Sequence, residues 1–247
     1  MPSQIKEEVL GVIALVDYFY KLFGFEYNIE LSTKPEKAMG SDEIWETATS
    51  ALKDALDSKK IAYKLNEGDG AFYGPKIDFH IKDCIGRTWQ CGTIQLDFLM
   101  PERFDLTYVG EDNDKHRPVM IHRVVLGSFE RFIGILIEHY AGAFPLWLSP
   151  VQVKVLTVND RNIDFAKEVY QKLLDAGMRA ELDVRSETVN KKVREAQLEK
   201  VNYMVTVGDK EQEAKTLAVR TRAGDVEFGV DVKAFISQLT KEVGERK

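Results

Sequence analysis

The sequence has few cysteines and no long apolar run. Its two cysteines, Cys84 and Cys91, form no CxxC pattern among 247 residues. This number and spacing argue against a disulfide scaffold and are typical of proteins in a reducing cytosol. No apolar segment approaches the ~20 residues of a membrane span, and the N-terminal segment MPSQIKEEVL is not a signal peptide. We therefore expect a cytoplasmic protein without a membrane partner.

An excess of positive charge is also absent. The formal net charge is −6, so no overall basic field attracts nucleic acid, and RNA binding would need a local basic patch. The common phosphate-binding motifs GxxxxGK[ST] and GxGxxG do not occur, and neither does the GxSxG motif of hydrolases. The acidic segment Asp112-Asn113-Asp114 lacks the spacing and the final Glu of an EF-hand loop, which favours a turn.

The chain is long enough for two domains. In the first, apolar spacing predicts helices over 4–23, 42–58 and 129–140, around a strand-rich span of 61–108. Alternation in that span predicts an antiparallel sheet with one buried face. After a linker-like segment at 144–150, strands alternate with helices, which predicts a small α/β domain with a mixed or mostly parallel sheet.

Polar residues interrupt three strand-like segments of the first region. The segments are AFYGPK with Tyr73 and Lys76, WQCGTIQLDF, and MIHRVVLGSFER. In the last segment a strand meets Gly127-Ser128 and a helix that carries Arg131, an arrangement suited to a negatively charged oxygen cluster. Each residue also has a plain structural interpretation: Tyr73 as a sheet aromatic, the glutamines as surface strand residues, and His122 as a core histidine. Gly92 indicates a bulge or a close backbone approach.

The second region holds a possible RNA surface. Lys191, Lys192, Arg194 and Lys200 follow Arg185, while Arg220 and Arg222 lie on a later strand. Glu195 and Glu199 alternate with the first group, so a solvated helix face is an equally good interpretation from the residues alone.

Taken in order, these segments carry a family resemblance. WQCGTIQLDF, YVGEDN and PVMIHRVVLGSFERFIGILIEHYAG resemble the threonyl-tRNA synthetases, a family of class II aminoacyl-tRNA synthetases, and WLSPVQV, VGDKE and AVRTR resemble their anticodon-binding domain. The resemblance implies an α+β and α/β fold class. Residues 1–145 would form a partial class II antiparallel sheet with flanking helices, and residues 150–247 a small α/β anticodon-binding domain.

The resemblance also implies residue roles. Arg131 and Lys76 would be catalytic, with Arg131 at the γ-phosphate side of ATP, and Tyr73 and Gln95 would bind threonine. The adenylate pocket would be lined by Gln90, Cys91, Thr93, Gly127 and Ser128. His122 would be one of three zinc ligands, and Glu211, Arg220 and Ser186 would contact anticodon bases, although some relatives carry Asn where Ser186 stands.

The function implied is that of a threonine–tRNA ligase with ATP, Mg²⁺, Zn²⁺, threonine and tRNA(Thr). The family's first two motifs and its other two zinc ligands have no match in this sequence. We therefore expect a fragment with an incomplete zinc site, inactive alone, and monomeric or non-natively associated although the intact enzyme is a homodimer. The alternatives are a non-catalytic, synthetase-derived RNA-binding or regulatory module, and another class II enzyme such as the prolyl synthetase.

Overall fold

The computed structural model describes residues 1–246, and the chain divides into two compact units, Met1–His139 and Tyr140–Lys247. Within residues 1–246, no helix combines the length and the apolar character needed to cross a membrane. Each unit has its own sheet and its own core.

The first unit combines helices with a five-stranded sheet. Its elements in chain order are α1 (Ile5–Leu22), β1 (Tyr27–Ser32), α2 (Asp42–Ser58), β2 (Lys64–Asn66), β3 (Lys76–Lys82), β4 (Thr88–Asp97), α3 (Leu99–Arg103), β5 (Tyr108–Val109), β6 (Lys115–His116), β7 (Met120–Val124) and α4 (Phe129–His139). The sheet order is β2–β1–β3–β4–β7, and only the β1–β2 pair is parallel among the described strand pairs of this sheet.

One face of this sheet is buried beneath helices. Helix α1 turns a stripe of apolar side chains inward, including Val9, Val16 and Tyr20, because they recur at helical spacing. Helix α2 begins where Ser41 Oγ accepts a hydrogen bond from Ile44 N at 3.4 Å. The strands contribute Phe79 and other fully buried apolar residues to the same core. The predicted antiparallel sheet with one buried face is therefore confirmed.

The second unit is a mixed α/β structure. Its elements are β8 (Val153–Thr157), α5 (Ile163–Asp175), β9 (Ala180–Asp183), α6 (Val189–Leu198), β10 (Tyr203–Val207), α7 (Asp209–Ala214), β11 (Thr216–Thr221), β12 (Val226–Asp231) and α8 (Val232–Gly244). The sheet order is β12–β11–β10–β8–β9, with β8, β9 and β10 parallel and β11 and β12 antiparallel to their neighbours. This confirms the predicted mixed sheet.

Helices cover both faces of this second sheet. The larger core includes Phe165 of α5, Val205 of β10 and Phe235 of α8, and a smaller cluster joins Ala196 of α6 to Met204 of β10. Because both faces are covered, every residue of β8 is buried, including Lys154 and Thr157. The carboxyl ends of β8, β9 and β10 meet at one edge of the sheet.

Candidate active site

The uncovered face of the first sheet carries polar side chains on β3, β4 and β7. Opposed residues in an antiparallel pair point to the same face, and the register pairs Lys76 with Gln95, Asp78 with Thr93, and Gln95 with His122. The structure thus brings together residues that lie far apart in the sequence. They form a continuous polar surface opposite the helices.

A β-bulge in strand β4 places Gln90 on this polar face. Phe79 pairs with Gly92 and His80 with Gln90, so Cys91 is an extra residue in the ladder. The space at Gly92 is too small for a side chain, because an added Cβ would lie 2.9 Å from Tyr20 Oη and 3.2 Å from Phe79 Cβ. The expectation that Gly92 marks a bulge or a close approach is confirmed.

The same bulge corrects the interpretation of Cys91. Its side chain is only 2% exposed and belongs to the core, so it does not line a pocket on the polar face. Burial raises the pKa of the Cys91 thiol, which keeps it protonated near neutral pH. Cys91 could therefore contact a ligand on that face only through its backbone.

Asp78 is the centre of the hydrogen-bond network on this face. Its carboxylate is 1% exposed and accepts hydrogen bonds from four side chains. The donors are Lys76 Nζ at 2.6 Å, Gln90 Nε2 at 2.6 Å, Thr93 Oγ1 at 2.8 Å and Ser32 Oγ at 3.2 Å. The sequence analysis did not single out Asp78, although a charged residue between Ile77 and Phe79 in an alternating strand was an available signal.

Lys76 is held as a cation beside this carboxylate. Partial burial opposes its charged form, but the contacts with Asp78 at 2.6 Å and Asp69 at 3.3 Å outweigh burial and raise the pKa of Lys76. Lys76 is therefore suited to neutralising negative charge and unsuited to acting as a proton-accepting base.

Tyr73 and Gln95 are in direct contact. Tyr73 Oη donates to Gln95 Oε1 at 2.8 Å, and Gln95 Nε2 donates to Gly74 O at 3.1 Å. Burial, followed by the nearby charge of Asp97, raises the pKa of Tyr73, so its hydroxyl stays protonated. The turn at Gly74 lies against β4, and a Cβ on Gly74 would be 1.9 Å from Leu96 O.

His122 is oriented by a buried carboxylate. Its Nε2 lies 2.9 Å from Asp97 Oδ2, while Asp97 Oδ1 accepts hydrogen bonds from Leu99 N and Met100 N at the start of α3. The His122 ring also meets the Tyr73 ring edge to face, with centroids 5.7 Å apart. His122 thus borders the Tyr73–Gln95 pair.

A zinc site would need further ligands beside His122. Structural and catalytic zinc sites use at least three protein ligands. Within residues 1–246, no three His, Cys, Asp or Glu side chains are grouped so that they could hold a metal ion. The described residues therefore do not fit a zinc site by themselves.

Arg131 extends beside the first residues of β4. Ser128 Oγ accepts a hydrogen bond from Arg131 N at 3.3 Å, and Arg131 Nη1 donates to Gln90 O at 3.3 Å. The guanidinium lies over the Trp89 ring, with Cζ 5.7 Å from the centroid. Gly127 has φ +73°, and a Cβ there would be 3.2 Å from Cys91 O. Both features favour glycine where the strand turns into α4.

Trp89 is fixed in turn by Asp83, another residue that the sequence analysis did not single out. Asp83 Oδ2 accepts from Trp89 Nε1 at 2.9 Å and from Arg87 Nε at 2.6 Å. Burial alone would raise the pKa of Asp83, but these hydrogen bonds lower it to about 2. Asp83 therefore stays ionised at neutral pH and anchors the indole that faces Arg131.

The second unit separates its three predicted anticodon residues. Ser186 lines a polar cleft of about 450 Å³ beyond β8 and β9, and Glu211 Oε2 accepts from Gly208 N at 2.9 Å after β10. Arg220 lies opposite Met204 near the start of β10, and its Nη1 donates to Gly224 O at 3.1 Å. Ser186 and Glu211 thus follow carboxyl ends of parallel strands, whereas Arg220 lies towards the other end of β10.

The predicted basic surface on α6 needs a correction. Lys192 is 1% exposed and donates to Thr157 O at 2.9 Å and Thr157 Oγ1 at 3.1 Å, so it is a core cation and not part of a solvated face. Lys191 pairs with Glu187 one turn away. A buried ammonium is not visible in a charge pattern, because the pattern records spacing and not the acceptors that surround a side chain.

Comparison with known proteins decides the family. The model of the class II tRNA synthetase core domain (G, H, P, S and T) matches residues 1–140, and the anticodon-binding domain model matches residues 152–242. The threonine–tRNA ligase of Carboxydothermus hydrogenoformans is 63% identical over 248 residues. The chain belongs to the class II tRNA synthetases of the G, H, P, S and T group, and the curated relatives that it matches are threonine–tRNA ligases.

Solved structures agree with this assignment. The RNA binding domain of threonyl-tRNA synthetase from Cryptosporidium parvum matches with a TM-score of 0.94 and 40% identity. The match covers 98% of this chain and 61% of the C. parvum chain. The prolyl-tRNA synthetase of the same organism has a TM-score of 0.64 at 16% identity, which shows a shared fold alone. The present chain matches over its full length but spans only 39% of the C. hydrogenoformans ligase.

Proposed function

We propose that this chain contributes part of the active site and the anticodon-binding domain of a threonine–tRNA ligase. The observation that carries the proposal is the 63% identity across the whole chain to a threonine–tRNA ligase, together with the polar network around Asp78. Residues 1–145 would belong to the catalytic domain and residues 150–247 to the anticodon-binding domain.

In the proposed reaction, the threonine carboxylate attacks the α-phosphate of ATP and pyrophosphate leaves. Arg131 and Lys76 would neutralise phosphate charge, because both are cations at the ends of the polar face. Gln90, Thr93, Gly127 and Ser128 would surround the adenylate, and Tyr73 with Gln95 would hold threonine. Catalysis would rest on positioning and charge neutralisation and not on an acid–base pair.

The proposal includes partners and metals. Mg²⁺ would accompany ATP, and His122 would be one zinc ligand among others supplied from outside residues 1–246. Ser186, Glu211 and Arg220 would contact the anticodon of tRNA(Thr). We also propose a cytoplasmic location and a homodimeric intact enzyme.

Threonine-dependent ATP–pyrophosphate exchange tests this proposal. We expect a chimera, in which this chain replaces the matching 39% of the C. hydrogenoformans ligase, to catalyse exchange with threonine and Mg²⁺. The isolated chain should be inactive although folded. A folded, inactive chimera would contradict the assignment, and full activity of the isolated chain would contradict the incomplete-site account.

A non-catalytic RNA-binding role is the second candidate. It is favoured by the match to a solved structure described as the RNA binding domain of a threonyl-tRNA synthetase. Binding of a tRNA(Thr) transcript by the isolated chain, together with an inactive chimera, would support this role over catalysis.

A further inference from the structure

On the polar face of the first sheet, the side-chain hydrogen-bond donors point to a carboxylate within the protein. The buried carboxylate of Asp78 accepts hydrogen bonds from Lys76, Gln90 and Thr93, the side chains that a ligand would meet. We propose that Asp78 is a positioning residue that fixes the hydrogen-bonding polarity of the site. Gln90 and Thr93 then present acceptors, and the ligand must bring donors.

The orientation of Gln90 follows from the chemistry of its partner. An ionised carboxylate has no proton to donate, so the amide atom 2.6 Å from Asp78 Oδ1 must be Nε2. Nε2 also lies 3.1 Å from Thr93 Oγ1. Nε2 thus lies against two acceptors that belong to the protein, and Oε1 is the atom of this amide that can accept from a ligand.

Thr93 is restricted in the same way. A hydroxyl has one proton, and Thr93 Oγ1 has two acceptors within reach, Asp78 Oδ1 at 2.8 Å and Gly92 O at 2.9 Å. With either acceptor, the hydroxyl of Thr93 uses its only proton, and a lone pair on Oγ1 is left to accept a hydrogen bond. Tyr73 repeats the pattern, because its hydroxyl donates to Gln95 Oε1.

A structural role alone explains Asp78 poorly. Burying a carboxylate carries a large desolvation cost, and an apolar pair of similar volume is often as stable as a buried ion pair. Asp78 is 1% exposed and Lys76 is its only cationic partner among the described residues. A permanent acceptor at this point does what an amide or hydroxyl could not, since either can also donate.

The consequence concerns the ligand. This inference rests on the proposed function, in which the ligand is the adenylate. The group that meets Gln90 and Thr93 would then be a hydrogen-bond donor of the adenylate, either a ribose hydroxyl or the 6-amine of adenine. These share one chemistry, an N–H or O–H aimed at Gln90 Oε1 or Thr93 Oγ1. Analogues of ATP that lack one donor at a time separate the two sources.

The first test reads Gln90 directly in the unmodified chain by NMR. We expect a scalar coupling across the hydrogen bond between Gln90 ¹⁵Nε2 and Asp78 ¹³Cγ, and a downfield Gln90 amide proton. In Asp78→Asn the new amide can donate to Gln90 Oε1, so the Gln90 side chain turns and the downfield proton is lost. Asp69→Asn is the matched control, since Asp69 pairs with Lys76 without touching Gln90. An absent coupling in wild type, or an unchanged Gln90 amide in folded Asp78→Asn, overturns the proposal.

The second test uses the chimera with the C. hydrogenoformans ligase and titrates it with Mg²⁺ and ATP, 2′-deoxy-ATP, 3′-deoxy-ATP or purine riboside triphosphate. Loss of one neutral hydrogen bond should weaken binding of one analogue roughly three- to tenfold in wild type. That difference should disappear in Asp78→Asn. Equal binding of all four nucleotides to wild type overturns the proposal. If no nucleotide binds while the NMR coupling is present, the nucleotide-binding part of the proposed function fails and the role of Asp78 stands.

Discussion

Gly92→Ala should destabilise the first unit by an amount that can be worked out from its neighbours. The added Cβ would lie 2.9 Å from Tyr20 Oη and 3.2 Å from both Phe79 Cβ and Cδ2, inside the optimal separation of ~3.5–4.0 Å. Overpacking of this kind costs about 1–3 kcal/mol. Displacement of Tyr20 also breaks its 2.8 Å hydrogen bond to Val125 O, worth about 0.5–1.5 kcal/mol. The expected loss is therefore roughly 2–4 kcal/mol of the free energy of unfolding.

A double-mutant cycle with Tyr20→Phe isolates the cause. Removing the hydroxyl removes the shortest contact and the hydrogen bond together, so Gly92→Ala should cost about 1–2 kcal/mol less in the Tyr20→Phe background. Urea unfolding followed by circular dichroism measures all four proteins. Gly11→Ala is the matched control, because its Cβ would meet nothing within 4 Å, and it should stabilise α1 by about 0.5–1 kcal/mol. Equal costs of Gly92→Ala in both backgrounds would refute the reasoning.

Three further predictions concern Arg131 and its support. In the chimera, Arg131→Lys should lower kcat/KM for ATP about tenfold or more, because a point charge replaces a planar fork; near-normal exchange kinetics would count against a phosphate contact. Trp89→Leu should raise the KM for ATP by about two- to fivefold, because the aromatic surface beneath the Arg131 guanidinium is lost, and should leave kcat nearly unchanged. Arg87→Ala is the control: it removes the other cation on that ring and should leave the KM for ATP unchanged. Asp83 has a folded-state pKa of about 2 against a usual 3.8, so its contribution to stability is present above pH 4 and is lost as pH falls towards 2. Acid titration of Asp83→Asn should accordingly show a shallower loss of stability between pH 4 and 2 than wild type, and parallel curves would contradict the ionic role.

The architecture was readable from the sequence because its signals are local. Helical spacing in α1, the Ser41 cap of α2 and the strand–helix alternation after residue 150 are each set by neighbouring residues. The turn at Asp112–Asp114 was also predicted, and Asp112 Oδ1 accepts a hydrogen bond from Asp114 N at 3.1 Å. These features need no knowledge of distant contacts.

The orientation of side chains on β4 was not readable, because one extra residue changes the phase of a strand. Strict alternation from Ile94 and Leu96 would bury Gln90 and expose Cys91. The bulge reverses both, and the only sequence signal for it was Gly92. The residues behind the site were missed for a related reason. Asp78 and Asp97 act through partners on other strands, and sequence spacing does not show such partners.

The glycine at position 74 can be used to compare this turn, which lies beside Tyr73 and Gln95, with the same turn in related genes. Since a Cβ there would lie 1.9 Å from Leu96 O, no other residue fits without moving the turn. A gene copy that keeps Tyr73 and Gln95 but replaces Gly74 would retain the residues while losing their arrangement. Under the proposed function, this single codon would separate gene copies that keep the threonine-binding arrangement from copies that have lost it.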